Sequence, residues 1–212
     1  MKDIVVLGSS GFAQEIVWLL EDNNEIKKEW NILGFIDHVG NERSFENYGV
    51  IGDDDWLVHY PHTINVVCGI GKPSLRKKVV NYINSLNNTV NFPNIISQKA
   101  TVSRFAKLGK GCIVCAGTII TTNVCLGDFV TVNLNCTIGH GTKIGEYTTI
   151  NPGVNISGSV FIEQACDVGT ATSIIQGKRI GANSILGAGS VIIRNVPGNC
   201  TVVGNPGMIL ER

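Results

Sequence analysis

Charge of a single sign is the first thing this sequence lacks: 17 Lys and Arg are cancelled by 17 Asp and Glu. That balance excludes a general pull toward nucleic acid or an anionic membrane surface. Charge of either sign is also sparse, at 16% of residues, and mean hydropathy is +0.18. A chain that apolar predicts surface hidden in an oligomer interface. Aromatic residues make up only 7%, against 25 glycines, which favours tight turns over long helices. No uncharged run is long enough to span a bilayer, and Met1-Lys-Asp leads into "IVVLGSSG" without the form of a signal peptide. A cytoplasmic protein is the expectation. The seven cysteines fit it, read as reduced, buried, small apolar groups inside strand-like segments. Cys112-x-x-Cys115 has no second pair or histidine cluster near it, so packing is favoured over a metal or redox role. His59 and His62, in "HYPH", also lack partners and read as a surface loop. No metal site is expected.

The sequence divides into two regions of different period. In residues 1–92, "DIVVLG" (3–8), "NILGFID" (31–37) and "INVVCGIG" (64–71) read as short buried strands. "GFAQEIVWLLEDN" clusters Ile16, Val17, Leu19 and Leu20 on one side of a helix, and "PSLRKKVVNYINSL" reads as another, with Pro73 in its first turn. Alternating strands and helices predict a small Rossmann-like parallel α/β sheet. Ligands of such sheets bind at the carboxyl ends of the strands, here Gly8–Gly11, Asp37–His38 and Gly69–Lys72. "GSSGF" is not the dinucleotide fingerprint G-x-G-x-x-G, which argues against a redox enzyme.

Residues 93–212 obey another rule. Stepping by six from Ile96 through Val102, Leu108 and Val114 to Ile192 meets Ile, Leu or Val at all seventeen positions. The residue two before each is mostly small or Val, and Gly often follows. A period of six is neither the 3.6 of an amphipathic helix nor a pattern that a sandwich would hold through its loops. It is the mark of a hexapeptide β-helix, three hexads to a triangular coil of eighteen residues. Two residues after Ile138, at a turn of the prism, stands His140, the only histidine in this region.

The hexad run, together with "VLGSSGFAQEI", "GFIDH", "VVCGIGKPSLRKKV", "NLNCTIGHGTKIGEYTTINPGVNISGSV", "ILGAGSVI" and "VVGNPGM", resembles the bacterial sugar-nucleotide acetyltransferases of the PglD and NeuD type. The resemblance implies that the second region is a left-handed parallel β-helix. It implies an acetyl-CoA-dependent acyltransferase, acting on the amino group of a nucleotide-linked 4-amino-4,6-dideoxy sugar in surface-glycan biosynthesis. It further implies a homotrimer with active sites between neighbouring β-helices. His140 would be the general base. The coenzyme would meet Thr149, Gly158, Thr170 and Ala188, and the nucleotide sugar Ser10, Gly11, Phe12, Asp37, His38 and Gly71.

The chemistry suits these residue types. Acyl transfer from a thioester to an amine needs one group to take the amine proton and return it to the thiolate, which an imidazole near neutral pKa does. The oxyanion needs a fixed donor, and Gly158 lies one full coil beyond His140 on the same edge. Gly11 precedes a helix whose free N–H groups suit a pyrophosphate. The chain departs from the family at two places. Gly141 stands where amino-sugar N-acetyltransferases often carry Glu or Asp, leaving Asn133, Asn135 or a carbonyl to fix the imidazole. Gly204-Asn205-Pro206-Gly207-Met208 lacks the terminal Lys, which puts a basic contact to the coenzyme phosphates in question. The first departure keeps two other readings open: O-acetylation or transfer of a longer acyl chain, and a non-catalytic trimeric scaffold.

Overall fold

The structure is a computed structural model that describes residues 1–38, 43–86 and 90–210. It forms two compact units, Met1–Ser97 and Gln98–Arg212, dividing five residues later than the change of sequence pattern suggests.

In the first unit β1 (Lys2–Leu7) leads to α1 (Gly11–Ile26), β2 (Trp30–Ile36), a hairpin of β3 (Ser44–Phe45) and β4 (Tyr48–Gly52), α2 (Asp54–His59), β5 (Ile64–Cys68), α3 (Pro73–Ser85), β6 (Val90–Asn91) and β7 (Ile95–Ile96). The sheet order is β3-β4-β2-β1-β5-β6, parallel except for the hairpin. The β1 run Ile4–Leu7 is almost wholly buried, as expected of a strand covered on both faces. Helix α1 turns Ala13, Ile16, Val17 and Leu20 inward at helical spacing. The sequence reading missed the hairpin and α2. Two- and five-residue strands carry too few residues for a period to show, and α2 is a single capped turn and a half in which the Asp53 side chain accepts from Asp55 N–H. His59 accordingly lies in the last turn of α2, not in a loop, with Nδ1 2.8 Å from the Asp55 carbonyl oxygen.

The second unit is the prism. Sixteen two-residue strands, β8 (Thr101–Val102) to β23 (Val191–Ile192), start at six-residue intervals. Each from β8 to β20 pairs in parallel with the strand eighteen residues on, for example Thr137 with Asn155 and Ile138 with Ile156. Three faces result. Face a carries β10-β13-β16-β19-β22 and continues to β24 (Thr201–Val203) and the antiparallel β25 (Met208–Ile209). Face b carries β8-β11-β14-β17-β20-β23, and face c carries β9-β12-β15-β18-β21. The second residue of each strand is the hexad aliphatic, and from Val114 to Ile192 every one is buried.

Two further slots close the corners. Glycine after the aliphatic is steric in origin: a Cβ on Gly145 would stand 2.5 Å from the Gln164 nitrogen of the next coil. Two residues before the aliphatic, Thr and Cys side chains point inward and donate to a carbonyl fifteen residues on. Thr118, Thr142, Thr148 and Thr172 do so through Oγ1 at 2.7–3.1 Å. Cys112, Cys136 and Cys166 do so through Sγ at 3.1–3.2 Å. The cysteines are buried and reduced, but they are corner hydrogen-bond donors as well as apolar filler.

Candidate active site

The first-unit residues assemble where the sheet changes direction. Strand β1 is followed by β2 on one side and β5 on the other, so the loops after β1 and β5 open a crevice at the carboxyl ends. Leu7 is in register with both Ile36 and Cys68, which sets Gly8–Phe12, Asp37–His38 and Gly69–Gly71 side by side. Ser10 is the N-cap of α1 but makes no side-chain cap bond, and no acidic residue stands in the first turn. The helix therefore offers its N–H groups at Gly11 and Phe12 to an anion. Asp37 is held in place: Ser9 Oγ donates to one carboxylate oxygen at 2.5 Å and His38 N–H to the other at 2.8 Å.

Sequence reasoning missed a residue here. Arg76 on α3 is only 1% exposed, and its Nη1 donates to the carbonyls of Ile70 and Gly71 at 2.8 and 3.0 Å. A guanidinium inside a protein must be hydrogen-bonded, and here its bonds fix the loop that carries Gly71. The signal was its spacing: Pro73, Arg76, Val80 and Ile83 form the buried stripe of α3. Its proton donors also sit near Cys68, whose thiol burial pushes up to about 11.

In the second unit His140 stands on the edge between faces b and c, directly after β14 (Thr137–Ile138), and is exposed. Its ring leans across the next coil. A Cβ on Gly158 would lie 2.5 Å from both Cε1 and Nε2 of His140, closer than any real contact allows. Gly158 is thus the seat of the imidazole, a role the sequence did not disclose. Among the described residues the Gly158 N–H and the His140 ring make no hydrogen bond. Asn133 and Asn135, considered above as supports for the ring, are engaged elsewhere. Asn133 Oδ1 accepts from Leu134 N–H at 2.7 Å, and the Asn135 side-chain oxygen fills the space a Cβ on Gly117 would take.

Gly141 has a conformational reason. The third residue after each aliphatic is left-handed in every hexad from Gly111 to Gly189, and Gly141 has φ 69. Glycine adopts this freely, whereas Phe129, Tyr147 and Ser159 are held there by the coil. The slot has room, since a Cβ on Gly141 would meet only Ser159 Oγ at 3.5 Å.

The remaining positions lie apart from His140 within one chain. Thr170 and Ala188 are exposed on the edge between faces a and b, one coil from each other. Thr149 opens β16 (Thr149–Ile150) on face a and is only 3% exposed. Among the described residues no His, Cys, Asp and Glu group could hold a metal, and no helix is long and apolar enough to cross a membrane.

The family model of the PglD N-terminal domain matches residues 3–83. GDP-perosamine N-acetyltransferase of Escherichia coli O157:H7 is 29% identical over 217 residues, which span 98% of this chain and 96% of that protein. The acetyltransferase domain of PglB from Neisseria gonorrhoeae FA1090, solved in complex with acetyl coenzyme A, shares the fold with a TM-score of 0.90 at 27% identity over 99% of each chain. WeeI from Acinetobacter baumannii AYE does so with a TM-score of 0.88 at 28% identity, over 99% of this chain and 100% of its own. Both halves of the sequence resemblance hold, and the winding is that of the left-handed β-helix acyltransferases.

Proposed function

We infer that this acyltransferase of the PglD and NeuD type moves the acetyl group of acetyl-CoA to the amino group of a nucleotide-linked 4-amino-4,6-dideoxy sugar, with His140 as general base. The observation that carries the reading is His140 seated over Gly158, its ring and the Gly158 N–H both without a hydrogen-bond partner among the described residues. The nucleotide is bound by the loops at Ser10–Phe12, Asp37–His38 and Gly71. Of these, the α1 N-terminus takes the pyrophosphate and Asp37 a ribose or base hydroxyl or N–H.

At the second unit the imidazole accepts the proton that the amine loses as its nitrogen bonds to the thioester carbonyl carbon. The Gly158 N–H donates to the carbonyl oxygen as negative charge builds there, and no side chain at 158 obstructs the approach. When the carbon–sulfur bond breaks, His140 returns the proton to the departing thiolate. Thr149, Thr170 and Ala188 contact the coenzyme. Their separation from His140 within a single prism supports a homotrimer, in which an edge of one copy faces the His140 edge of the next. Acetyl-CoA and a sugar nucleotide are cytoplasmic metabolites, and the seven reduced cysteines suit that compartment and a role in surface-glycan synthesis.

The test is His140→Ala, an exposed position at which the fold should persist, assayed for thiol release with UDP-, dTDP- and GDP-linked amino sugars. GDP-perosamine comes first, because the Escherichia coli relative is named for it. Turnover should fall about 10²- to 10⁴-fold; undiminished turnover removes His140 from the mechanism. Gly141 favours one second reading, O-acetylation, because no carboxylate follows the base. Hydroxyl-bearing acceptors in the same panel decide between the two.

A further inference from the structure

The prism wears its charge unevenly. From the coil of His140 to the C-terminal end, the edge between faces a and b carries no charged residue: Asn151–Val154, Gly169–Thr172, Gly187–Ser190. The edge between faces c and a carries Glu146 and Glu163. The His140 edge is the reverse, with Ser157–Val160, Ile175–Lys178 and Ile193–Asn195 contributing Lys178 and Arg194 and no carboxylate. The chain turns this last corner in fewer residues than the others, because Val196 already pairs with Ile180 of face c, which places Arg194 on the corner itself. Arg194 is exposed and Lys178 half-exposed, and neither side chain has a hydrogen-bond, ion-pair or ring partner among the described residues. The neighbouring Arg179 is already committed to Glu163 and the Phe161 ring.

We propose that Arg194, with Lys178 in the coil below it, holds the phosphates of the acyl donor, in place of the Lys that the family ending carries where Met208 stands here. The proposal rests on the acetyl-CoA reading above. Strands β14, β17 (Asn155–Ile156), β20 (Ser173–Ile174) and β23 stack in order on face b, so Arg194 stands three strand spacings, about 14 Å, beyond His140. A pantetheine arm of two amide-linked segments spans about 15 Å when extended, by ordinary bond lengths. A thioester at His140 and Gly158 therefore brings the first phosphates to the level of Arg194. The His140 ring leans over Gly158, toward this end of the edge. Between them the edge carries Gly158 and Gly177, at the latter of which an added Cβ would meet nothing within 4 Å, leaving a track for the arm. Arg194 is the better phosphate ligand, since its fork pairs two oxygens, and Lys178 adds a point charge.

The experiment compares two donors in the full-length protein: acetyl-CoA, and acetyl-pantetheine, which lacks every phosphate. Arg194→Ala should raise KM for acetyl-CoA about ten- to hundredfold, the range of one charge-assisted hydrogen bond, with kcat at saturation unchanged. KM for acetyl-pantetheine should stay as in the wild type, Lys178→Gln should add to the effect, and Arg194→Lys should restore part of it. An unchanged KM for acetyl-CoA in the double variant, or an equal rise for both donors, overturns the assignment while leaving acetyl transfer in place. A wild-type protein that neither binds coenzyme A in a calorimeter nor turns it over overturns the reading beneath it.

Discussion

Gly158 concentrates three demands in one residue. On the mechanism proposed above it must turn a corner, present an N–H and leave its Cβ position to the His140 ring. Gly158→Ala should leave the N–H where it is and push the imidazole off its seat, because two ring atoms stand 2.5 Å from the added carbon. The expected outcome is a fall in kcat of about tenfold or more, as a displacement of order 1 Å costs in a positioned catalytic group, with KM for the sugar nucleotide unchanged. Steady-state kinetics with both substrates varied measure it; an unaltered kcat would show that the ring needs no seat. Gly141 is explained separately, by its left-handed slot. Because that slot also has free space, the absence of a carboxylate there is a property of this sequence and not a requirement of the coil.

At the scale of the element, the corner slot two residues before each aliphatic is a ladder of hydrogen bonds inside the prism. Thr142→Val should cost about 1 kcal/mol or somewhat more, since the hydroxyl bonds to the Ser157 carbonyl and from the buried Val160 N–H are lost. Ser190 occupies the same slot in the last coil, where the hexad ends and no carbonyl is supplied, so its Oγ is buried without a partner. Ser190→Ala should therefore be neutral or slightly stabilising. Urea unfolding midpoints of the two variants test the contrast.

The cysteines of the ladder add a pH dependence. Burial pushes Cys136 and Cys166 up to about 11 from an ordinary value of 9. Between those pH values the unfolded chain gives up thiol protons that the folded chain keeps. The stability present below pH 9 is thus progressively lost up to about pH 11. Replacing both residues by Thr keeps the corner bond, as at Thr142 and Thr148, and should flatten the alkaline decline in unfolding midpoint.

For the whole molecule, low charge and an outer prism surface bearing Ile119, Phe161, Ile175 and Ile185, each more than a third exposed, favour self-association. Light scattering should give three times the chain mass of 22.7 kDa. A monomer at catalytic concentrations would leave Thr149, Thr170 and Ala188 away from the His140 edge and would overturn the proposed shared site. The two compact units differ in architecture, a parallel sheet and a prism, and the family model recognises the first of them by itself.

By itself the sequence determined the prism almost completely. A side-chain period of six fixes which residue faces inward, and three hexads per coil fix which residue lies above which, so the places of Ile138, His140 and Gly158 follow from the period alone. It also determined the order of the main strands of the first unit, whose apolar runs are long enough to read. Only the tertiary structure decided what fills the spaces between those positions. It gave the Gly158 Cβ site to the imidazole, tied Asn133 to its own turn, buried Arg76 under the Gly71 loop and left Arg194 and Lys178, among the described residues, without partners on the His140 edge. The physical reason is that periodicity specifies direction, inward or outward, whereas these features depend on how side chains from different coils and loops share volume and hydrogen bonds once stacked.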